Sequence, residues 1–376
     1  MTDMTHRHII LALSLLLCMS TTALAQKMKI GSYTFKDGAV YSGELLNNKP
    51  NGKGRTLFKN GDTYEGEYVK GKRQGYGIYT FTDGEKYEGQ WFQDQQHGKG
   101  TFYFRNNNRY EGLWFRDYQE GHGTMYYYNG DVYEGDWKND MRDGQGTYRY
   151  ANGAYYKGHW KDDQKSGKGV FDWNDGSRYE GMWAHNQRNG QGTFTYSDGD
   201  AYVGNWKDDV QNGKGIYKFR NGDVYEGDYQ DGERTGSGIF TFANGNTYVG
   251  QFLNGEQHGE GTFTWKNSAV YSGQWENNNR NGRGTYKWKN GDVYVGDWKD
   301  NQMDGEGVLR LASGEKFKGS FLQGKKHGKC IEEYSDGTRF EGYYKNGEKD
   351  GPFVERDANG NVTRRGTYEN GRVVPQ

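Results

Sequence analysis

Hydrophobic and polar positions alternate along this chain in short stretches, a pattern typical of half-buried β-strands. In residues 131–137, for example, Tyr133, Gly135 and Trp137 share one face, and charged or aliphatic residues share the other. Residues 147–150 alternate in the same way. Each such pair of segments predicts a β-hairpin.

The connections between the predicted strands are polar and rich in glycine. The stretch 138–146 ends in Gly144-Gln145-Gly146 and is predicted to form a loop that contains both glycines. Asn152-Gly153 follows the second strand, and this dipeptide favours a type I′ turn into the next hairpin. Successive hairpins are therefore expected to pair into one antiparallel meander.

The hairpin pattern recurs every 23 residues. Fourteen units occupy residues 41–362, with a leading strand predicted in 26–40 and a degenerate repeat in 363–376. The predicted fold is all-β, an elongated, single-layer, twisted antiparallel meander that leaves no segment for a second domain. The triplets Tyr-x-Gly or Phe-x-Gly that mark the units begin at Tyr41, Tyr64, Tyr87, Tyr110, Tyr133, Tyr156, Tyr179, Tyr202, Tyr225, Tyr248, Tyr271, Tyr294, Phe317 and Phe340.

The glycine of each triplet falls in the middle of a strand, where glycine is normally unfavourable. It is expected to make room for an aromatic ring of the neighbouring strand, such as Tyr148 or Tyr150, lying flat over Gly135. In a different column, Ser268 replaces the turn glycine before Tyr271, so this turn is predicted to be strained or to take another form. The triplet glycines predicted to be structural are Gly66, Gly89, Gly112, Gly135, Gly158, Gly181 and Gly204.

These columns resemble those of MORN-repeat proteins, whose module reads Tyr-x-Gly-x-Trp-x(6)-Gly-x-Gly, followed by an aromatic strand and an Asp/Asn-Gly turn. The resemblance covers residues 41–362. It implies a rod-like β-sheet used for contact with proteins, for self-association or for attachment near membranes. The last two units depart from the pattern, since Cys330 and Phe353 replace a glycine while Glu332 and Glu355 replace a strand aromatic. This end is predicted to cap the array.

Composition limits both the core and the partners. Apolar residues make up only 32% of the chain while aromatic residues reach 16%, so the core is expected to consist mainly of Tyr, Phe and Trp. With 49 basic and 50 acidic residues, the chain lacks the basic excess that nucleic-acid-binding proteins usually have. No nucleic acid is therefore predicted as a partner.

The N-terminus has the pattern of a secretory signal peptide covering residues 1–25. Residues 9–18 form an apolar run too short to span a bilayer, and Ala-Leu-Ala ending at Ala25 fits a cleavage site. Lipidation of Cys18 is the alternative, but Leu17 stands where a small residue is expected. The mature chain is predicted to be exported to the periplasm or the extracellular space, where it could associate with the envelope. It retains one cysteine, so no intramolecular disulfide is expected.

No catalytic, cofactor or metal site is predicted, and the chain is expected to be non-enzymatic. His97 and His258 occupy one column of the repeat, but seven units separate them, which is too far to share a metal ion. The Gly-x-Gly sequences lack the following helix and the Gly-Lys-Ser/Thr of a phosphate-binding loop. The recurring strand glutamates are interpreted as a solvated outer face, since Val203, Val249 and Val295 interrupt their column.

An aromatic groove is predicted as the interaction surface. Twisting of the sheet is expected to curl its aromatic face into a trough that binds another protein or a second copy of the chain. The candidate residues of this groove are Tyr87, Trp91, Tyr110, Trp114, Tyr133, Trp137, Tyr156, Trp160, Tyr179, Trp183, Tyr202, Trp206, Tyr271, Trp275, Tyr294 and Trp298.

Two other kinds of partner stay open. Binding of phospholipid headgroups is suggested by the family resemblance and by a basic cluster, which nearby acidic residues dilute. Cell-envelope carbohydrate is the second alternative, because exposed aromatic strips are suited to stacking on sugar rings. The basic cluster comprises Lys49, Lys53, Lys70, Lys72 and Arg73.

Overall fold

The computed structural model describes residues 27–374, and every regular element in this range is a β-strand. The predicted all-β fold is therefore confirmed. The predicted signal peptide at 1–25, its cleavage site and the alternative at Cys18 lie outside the described residues.

Thirty-two strands follow one another in the described range, and most repeats contribute a seven-residue strand followed by a nine-residue strand. Their bounds are β1 Lys29–Thr34, β2 Val40–Leu46, β3 Lys49–Leu57, β4 Thr63–Val69, β5 Lys72–Thr80, β6 Lys86–Phe92, β7 Gln95–Tyr103, β8 Arg109–Phe115, β9 Tyr118–Tyr126, β10 Val132–Lys138, β11 Met141–Arg149, β12 Tyr155–Lys161, β13 Gln164–Asp172, β14 Arg178–Ala184, β15 Gln187–Thr195, β16 Ala201–Lys207, β17 Val210–Lys218, β18 Val224–Gln230, β19 Glu233–Thr241, β20 Thr247–Leu253, β21 Glu256–Thr264, β22 Val270–Glu276, β23 Asn279–Lys287, β24 Val293–Lys299, β25 Gln302–Arg310, β26 Lys316–Leu322, β27 Lys325–Glu333, β28 Arg339–Lys345, β29 Glu348–Lys349, β30 Gly351–Arg356, β31 Val362–Glu369 and β32 Arg372–Val373.

The described residues divide into two compact units, one formed by 27–106 with Leu113–Asp117 and the other by Asn107–Gly112 with 118–374. In the first unit, β1 to β7 pair antiparallel in chain order. In the second unit, β9 to β28 pair in the same way, and the meander continues through β30 and β31. Within each unit the hairpins thus form the predicted single-layer antiparallel meander.

The turn inside each hairpin is tighter than the sequence predicted. Strand β10 ends at Lys138 and β11 begins at Met141, so only Asn139 and Asp140 connect them. Both have positive φ, 48° and 65°, as a type I′ turn requires. The prediction of a loop over 138–146 was wrong because Asn and Asp tolerate the left-handed region and form this turn without glycine.

Gly144-Gln145-Gly146, predicted as loop residues, lie inside β11. The register of β10 and β11 shifts between Gly135 and Trp137, opposite this stretch, and Gly144 has a φ of 118°. This arrangement is a β-bulge, which inserts extra residues into one strand of a pair. The loop interpretation of these glycines was therefore wrong, because they allow the strand to bulge and continue.

The turn between hairpins also differs from the prediction. At Asn152-Gly153 only the glycine has positive φ, 90°. The Gly153 N–H donates to the Tyr150 carbonyl and the Tyr150 N–H donates to the Ala154 carbonyl, both at 2.9 Å, as in a type I turn followed by a glycine bulge. The type I′ prediction was wrong because the Asn152 side chain stabilises this other turn, accepting the Ala154 N–H at 3.0 Å.

Ser268 keeps this inter-hairpin turn without a glycine. Its N–H donates to the Trp265 carbonyl at 2.8 Å, and its φ is 71°. Of the two predicted outcomes, the strained one is observed, because a positive φ brings a Cβ close to the backbone.

The ring over the mid-strand glycine belongs to the tyrosine of the same triplet. A Cβ on Gly135 would lie 2.6 Å from the Tyr133 hydroxyl oxygen, and a Cβ on Gly146 would also overlap the Tyr133 ring. Gly135 and Gly146 face each other across β10 and β11, so one ring covers both glycines. The expectation that Tyr148 or Tyr150 covers Gly135 was wrong, because Tyr148 lies opposite Tyr133 in the register.

Candidate functional site

The tyrosines of the predicted groove are buried. Tyr133 has an exposed fraction of 0%, and the same holds for every triplet tyrosine from Tyr41 to Tyr294. The Tyr133 hydroxyl donates to the Asp136 carbonyl at 3.0 Å. Burial raises the pKa of the Tyr41 and Tyr179 hydroxyls to about 12, so these phenols are neutral and bonded within the sheet.

The tryptophans are almost as deeply buried. Trp160, with an exposed fraction of 4%, packs edge to face on Tyr133 and Tyr156, at ring-centre distances of 5.4 and 5.2 Å. Its indole N–H donates to the Gly146 carbonyl in the preceding repeat at 3.3 Å. The same bond is made by the seven other predicted groove tryptophans, Trp91, Trp114, Trp137, Trp183, Trp206, Trp275 and Trp298.

Cationic side chains cover several of these tryptophan rings. The Arg142 guanidinium lies 4.3 Å from the Trp160 ring centre, and its Nε donates to Asp163 Oδ1 at 2.9 Å. In the repeat that follows, Lys165 takes this position, with its Nζ 4.7 Å from the Trp183 ring centre. These cationic groups cover ring surface of the aromatic layer that would otherwise face solvent.

Within each unit, the predicted groove residues thus lie on one face, but they form the packed core of the sheet. Both their rings and their polar groups are occupied by neighbouring residues, which leaves little surface for a ligand. Direct contact between these residues and a partner stays a prediction. Gly66, Gly89, Gly112, Gly135, Gly158, Gly181 and Gly204 each lie against a glycine of the following strand, which permits this packing.

A groove lies on the opposite face of the sheet, within the second unit. It extends from β15 to β21, has a volume of about 760 Å³ and is lined by the aliphatic residues Val203, Ile216, Ile239 and Val249. Val203, Ile239 and Val249 have exposed fractions of 40%, 43% and 50%. The aliphatic groove is therefore open to solvent, unlike the aromatic layer.

Sequence reasoning missed this groove because it treated the valines only as interruptions of a glutamate column. The register places Val203 directly opposite Ile216, and Val249 directly opposite Ile239. Aligning the two strands of each hairpin in this register would have shown the aliphatic cluster. The signal was present in the sequence, divided between two columns of the repeat.

One carboxylate lies in the middle of the aliphatic lining. Glu226 on β18 stands between Ile216 on β17 and Ile239 on β19. Nearby, Lys214 Nζ lies 2.6 Å from Asp228 Oδ1, so these two charges offset each other. Glu226 has no ion-pair partner within residues 27–374 and leaves an uncompensated negative charge on the groove floor.

The described part of the chain has neither a cluster of metal ligands nor a helix that could span a membrane. There, no group of three or more His, Cys, Asp or Glu residues is placed to hold a metal ion. No helix formed by residues 27–374 is long and apolar enough to cross a membrane. The single cysteine in this range, Cys330, is buried and free, and burial raises its pKa to about 12, which disfavours the reactive thiolate.

The predicted basic cluster is only partly available for binding anions. The guanidinium of Arg73 lies 4.2 Å from the Trp91 ring centre, and its Nη2 donates to the Asp94 carbonyl at 2.7 Å. Arg73 is therefore part of the aromatic layer. The four lysines of the cluster, Lys49, Lys53, Lys70 and Lys72, are exposed.

Comparison with known proteins identifies the repeat. A family model described as MORN repeat matches fourteen consecutive segments, at residues 41–63, 64–86, 87–109, 110–132, 133–155, 156–178, 179–201, 202–224, 225–247, 248–270, 271–293, 294–316, 317–339 and 340–362. These segments coincide with the units counted from the sequence. A comparison with curated proteins gives no match.

Similarity to solved structures is distant. The SAS-4 TCP domain of Drosophila melanogaster, in complex with a proline-rich motif of Ana2, is 14% identical, with 42% of this chain and 85% of that chain covered and a TM-score of 0.27. A mutant TCP10 domain of Danio rerio CPAP is 13% identical, with 71% and 98% covered and a TM-score of 0.18. Similarity at this level says nothing about partners.

Proposed function

The chain belongs to the MORN-repeat family, whose members are repeat scaffolds, and we propose that it is a non-catalytic scaffold that binds a partner protein. Repeats of this family engage proteins or membrane lipids. The observation that favours a protein here is the aliphatic groove of β15 to β21, because exposed contiguous apolar surface is typical of protein-binding sites.

The groove is better suited to binding than the aromatic face. Val249 in the groove is half exposed, whereas Trp160 and the other predicted groove tryptophans are packed and hydrogen-bonded internally. A partner can cover the groove without displacing any ring. We therefore propose the groove as the primary contact surface. We also propose that the mature chain is exported, so that its partner would be in the periplasm, in the extracellular space or on the envelope. The pattern of residues 1–25 supports export.

A pair of matched substitutions on β20 tests the proposed surface. Val249→Asp places a charge in the groove, and Leu253→Asp places it on the same strand outside the residues that line the groove. Their exposed fractions, 50% and 47%, are similar, so neither change should disturb folding. Affinity capture from the exported fraction should lose its specific partners with Val249→Asp and keep them with Leu253→Asp. Identical partners for both variants would contradict the proposal.

The aromatic face is tested by the triple variant Trp137→Ala, Trp160→Ala and Trp183→Ala. Because the three rings belong to the core, we expect this variant to unfold locally rather than to lose a partner selectively. A variant that keeps its circular dichroism and unfolding temperature but loses its partners would instead place the contact on the aromatic face.

Two direct measurements distinguish a lipid or carbohydrate partner from a protein partner. Salt-sensitive flotation with anionic phospholipid vesicles would favour headgroup binding through the exposed lysines. Sedimentation with cell-wall polysaccharide would favour carbohydrate. Light scattering on the mature chain shows whether a second copy is the protein partner. We expect neither vesicle nor polysaccharide binding, because the open groove is aliphatic.

A further inference from the structure

We propose that the aliphatic groove selects a partner segment in which apolar side chains flank a lysine or arginine, with that cation paired to Glu226. This inference rests on the proposed function and specifies the chemistry of the partner. It is carried by the position of Glu226 and by the absence of any intramolecular counter-ion for it in the described chain.

The lining residues form a row that crosses five neighbouring strands. Cross-strand register places Val203, Ile216, Glu226, Ile239 and Val249 side by side in this order. Paired strands are about 4.8 Å apart, so the carboxylate lies roughly 10 Å from the valine at either end. A partner that fills the row must therefore present apolar groups on both sides of whatever faces Glu226.

The sequence explains why Glu226 lacks the neighbour that pairs with other glutamates of its column. In three other repeats an arginine two residues earlier supplies the charge, with Arg109 Nε 2.9 Å from Glu111 Oε1, Arg178 Nη2 3.1 Å from Glu180 Oε2 and Arg339 Nε 3.2 Å from Glu341 Oε1. The position two residues before Glu226 is occupied by Val224, which carries no charge.

A second intramolecular partner is also replaced. Arg149, on the strand opposite Glu134, places its Nη1 3.5 Å from Glu134 Oε2, and Arg149 itself lies opposite Val132. In the repeat that contains Glu226, the residue at the position of Arg149 is Thr241. Both of these sources of a counter-ion are thus missing beside Glu226, whose cross-strand neighbours Ile216 and Ile239 are aliphatic.

The groove as a whole therefore favours a cation. Lys214 does not neutralise the floor, because its charge is already paired with Asp228 at 2.6 Å. Glu260 at the edge of the groove also lacks an ion-pair partner among residues 27–374 and adds a second negative charge. A purely apolar partner would remove Glu226 from water without compensation, and an acidic one would be repelled. A Lys or Arg in the partner offsets the lost hydration.

Selection from a phage-displayed random peptide library tests this inference on the full mature chain. The wild-type chain should enrich sequences with a Lys or Arg between apolar residues. Glu226→Lys should lose these sequences and enrich Asp or Glu at the same place. Glu180→Lys is the matched control, because Glu180 is an exposed glutamate of the same column outside the groove. Glu180→Lys should enrich the same peptide sequences as the wild-type chain. Thermal unfolding verifies that both variants fold.

Titration of the most enriched peptide measures how much the charge of Glu226 contributes to affinity. We expect Glu226→Lys to weaken binding at least about tenfold at low salt, and the difference should shrink as salt screens the charge. If wild type and Glu226→Lys enrich the same sequences while Val249→Asp abolishes binding, the charge selection is overturned and the scaffold function stands. A wild-type chain that enriches no sequence also overturns the inference, and partner capture with Val249→Asp then decides the proposed function separately.

Discussion

The regular hairpins up to residue 316 and the last two at 317–362 are all antiparallel, but their interiors are filled differently. In a regular hairpin, one tyrosine ring covers two facing glycines. In the hairpin that begins at Phe317, Cys330 stands opposite Gly319 and occupies the place of the second glycine. In the next hairpin Phe353 takes this place and stacks on Phe340, with a ring-centre distance of 5.8 Å.

The second strand shows the larger difference. Where most regular hairpins have an aromatic residue such as Tyr148, the final region has Glu332, which is only 7% exposed. Lys326 Nζ lies 2.5 Å from Glu332 Oε1, while the Tyr344 and Tyr334 hydroxyls donate to Oε2 at 3.0 and 3.1 Å. Burial disfavours the carboxylate, but the hydrogen bonds and lysine charges hold the pKa of Glu332 below its usual value.

The same repeated backbone therefore accommodates two kinds of interior. The ring ladder depends on apolar contact and on glycines that leave no spare volume. The final region depends on a buried network of charges, whose members are costly to remove singly. Substitutions at corresponding positions of the two regions should therefore have unequal effects.

The largest effect is expected from breaking the buried charge network. Glu332→Ala should lower the free energy of unfolding of the final region by about 4 kcal/mol, because it leaves the half-buried Lys326 and the Tyr334 and Tyr344 hydroxyls without their shared partner. Glu355→Ala, in the same column one repeat later, should cost less than about 1 kcal/mol. Chemical unfolding with amide hydrogen exchange of β27 and β30 measures both. Equal costs would show that the network is not the source of stability.

Filling the space under a tyrosine ring is expected to have the next largest effect. Gly146→Ala should cost about 3 kcal/mol, because the new Cβ overlaps the Tyr133 ring and no cavity can absorb it. Cys330→Ala, in the same column, should cost only about 1 kcal/mol for the lost sulfur contact. Urea unfolding measures the loss in the free energy of unfolding for each variant. A smaller loss for Gly146→Ala than for Cys330→Ala would contradict the prediction.

A third prediction contrasts a lysine without a counter-ion with a paired one. Lys165 Nζ lies 4.6 and 4.7 Å from the ring centres of Phe171 and Trp183, and no carboxylate of the described chain is within ion-pair distance. Burial lowers the pKa of Lys165 to about 8 from 10.5. The unfolded chain therefore holds this proton more tightly, so the contribution of Lys165 to stability should rise with pH above about 8.

Lys165→Met removes this titration and should flatten the rise, with a gain in stability at neutral pH. Lys326→Met should instead destabilise the final region, because Glu332 loses its closest cation. Thermal unfolding between pH 7 and 9 reads both effects, because above this range the tyrosines of the unfolded chain, with a pKa of about 10, ionise and lower the stability. If the stability of Lys165→Met rises with pH as much as that of the wild-type chain, another group causes the rise.

The smallest effect is expected at the one inter-hairpin turn that has serine in place of glycine. Ser268→Gly should stabilise the chain by about 0.5 to 1 kcal/mol, because glycine adopts the φ of 71° without steric cost. Gly245→Ser, the reverse change one repeat earlier, should destabilise by a similar amount. A shift in unfolding temperature of the same sign for both variants would contradict this explanation.

The sequence predicted the fold because the evidence for it is local and repeated. Alternation around Tyr133 and Trp137 indicates the strands, and a strict 23-residue interval leaves only one way to order them. The turns were harder to predict, since Asn139-Asp140 and Asn152-Gly153 both suit tight turns and their assignment depends on the bulge in β11. That bulge depends on contacts between strands, which spacing alone does not show.

The candidate site was predicted less well than the fold. Aromatic residues that line up on one face indicate either a core or a binding surface, and the hydrogen bond from Trp160 to Gly146 favours the core. The aliphatic groove depends on Val203 meeting Ile216, which lies 13 residues later in the chain. Only the register of the hairpin brings these two residues together.

The indole hydrogen bonds have a consequence for how such arrays change length during evolution. Each tryptophan donor reaches an acceptor in the block immediately before it, as from Trp160 to Gly146 and from Trp183 to Gly169. Duplication or loss of a whole 23-residue block between them would join a donor to an equivalent acceptor at the new junction. The array can therefore lengthen or shorten by whole 23-residue blocks without losing an indole hydrogen bond. Insertion or loss of part of a block would leave an indole N–H without its acceptor.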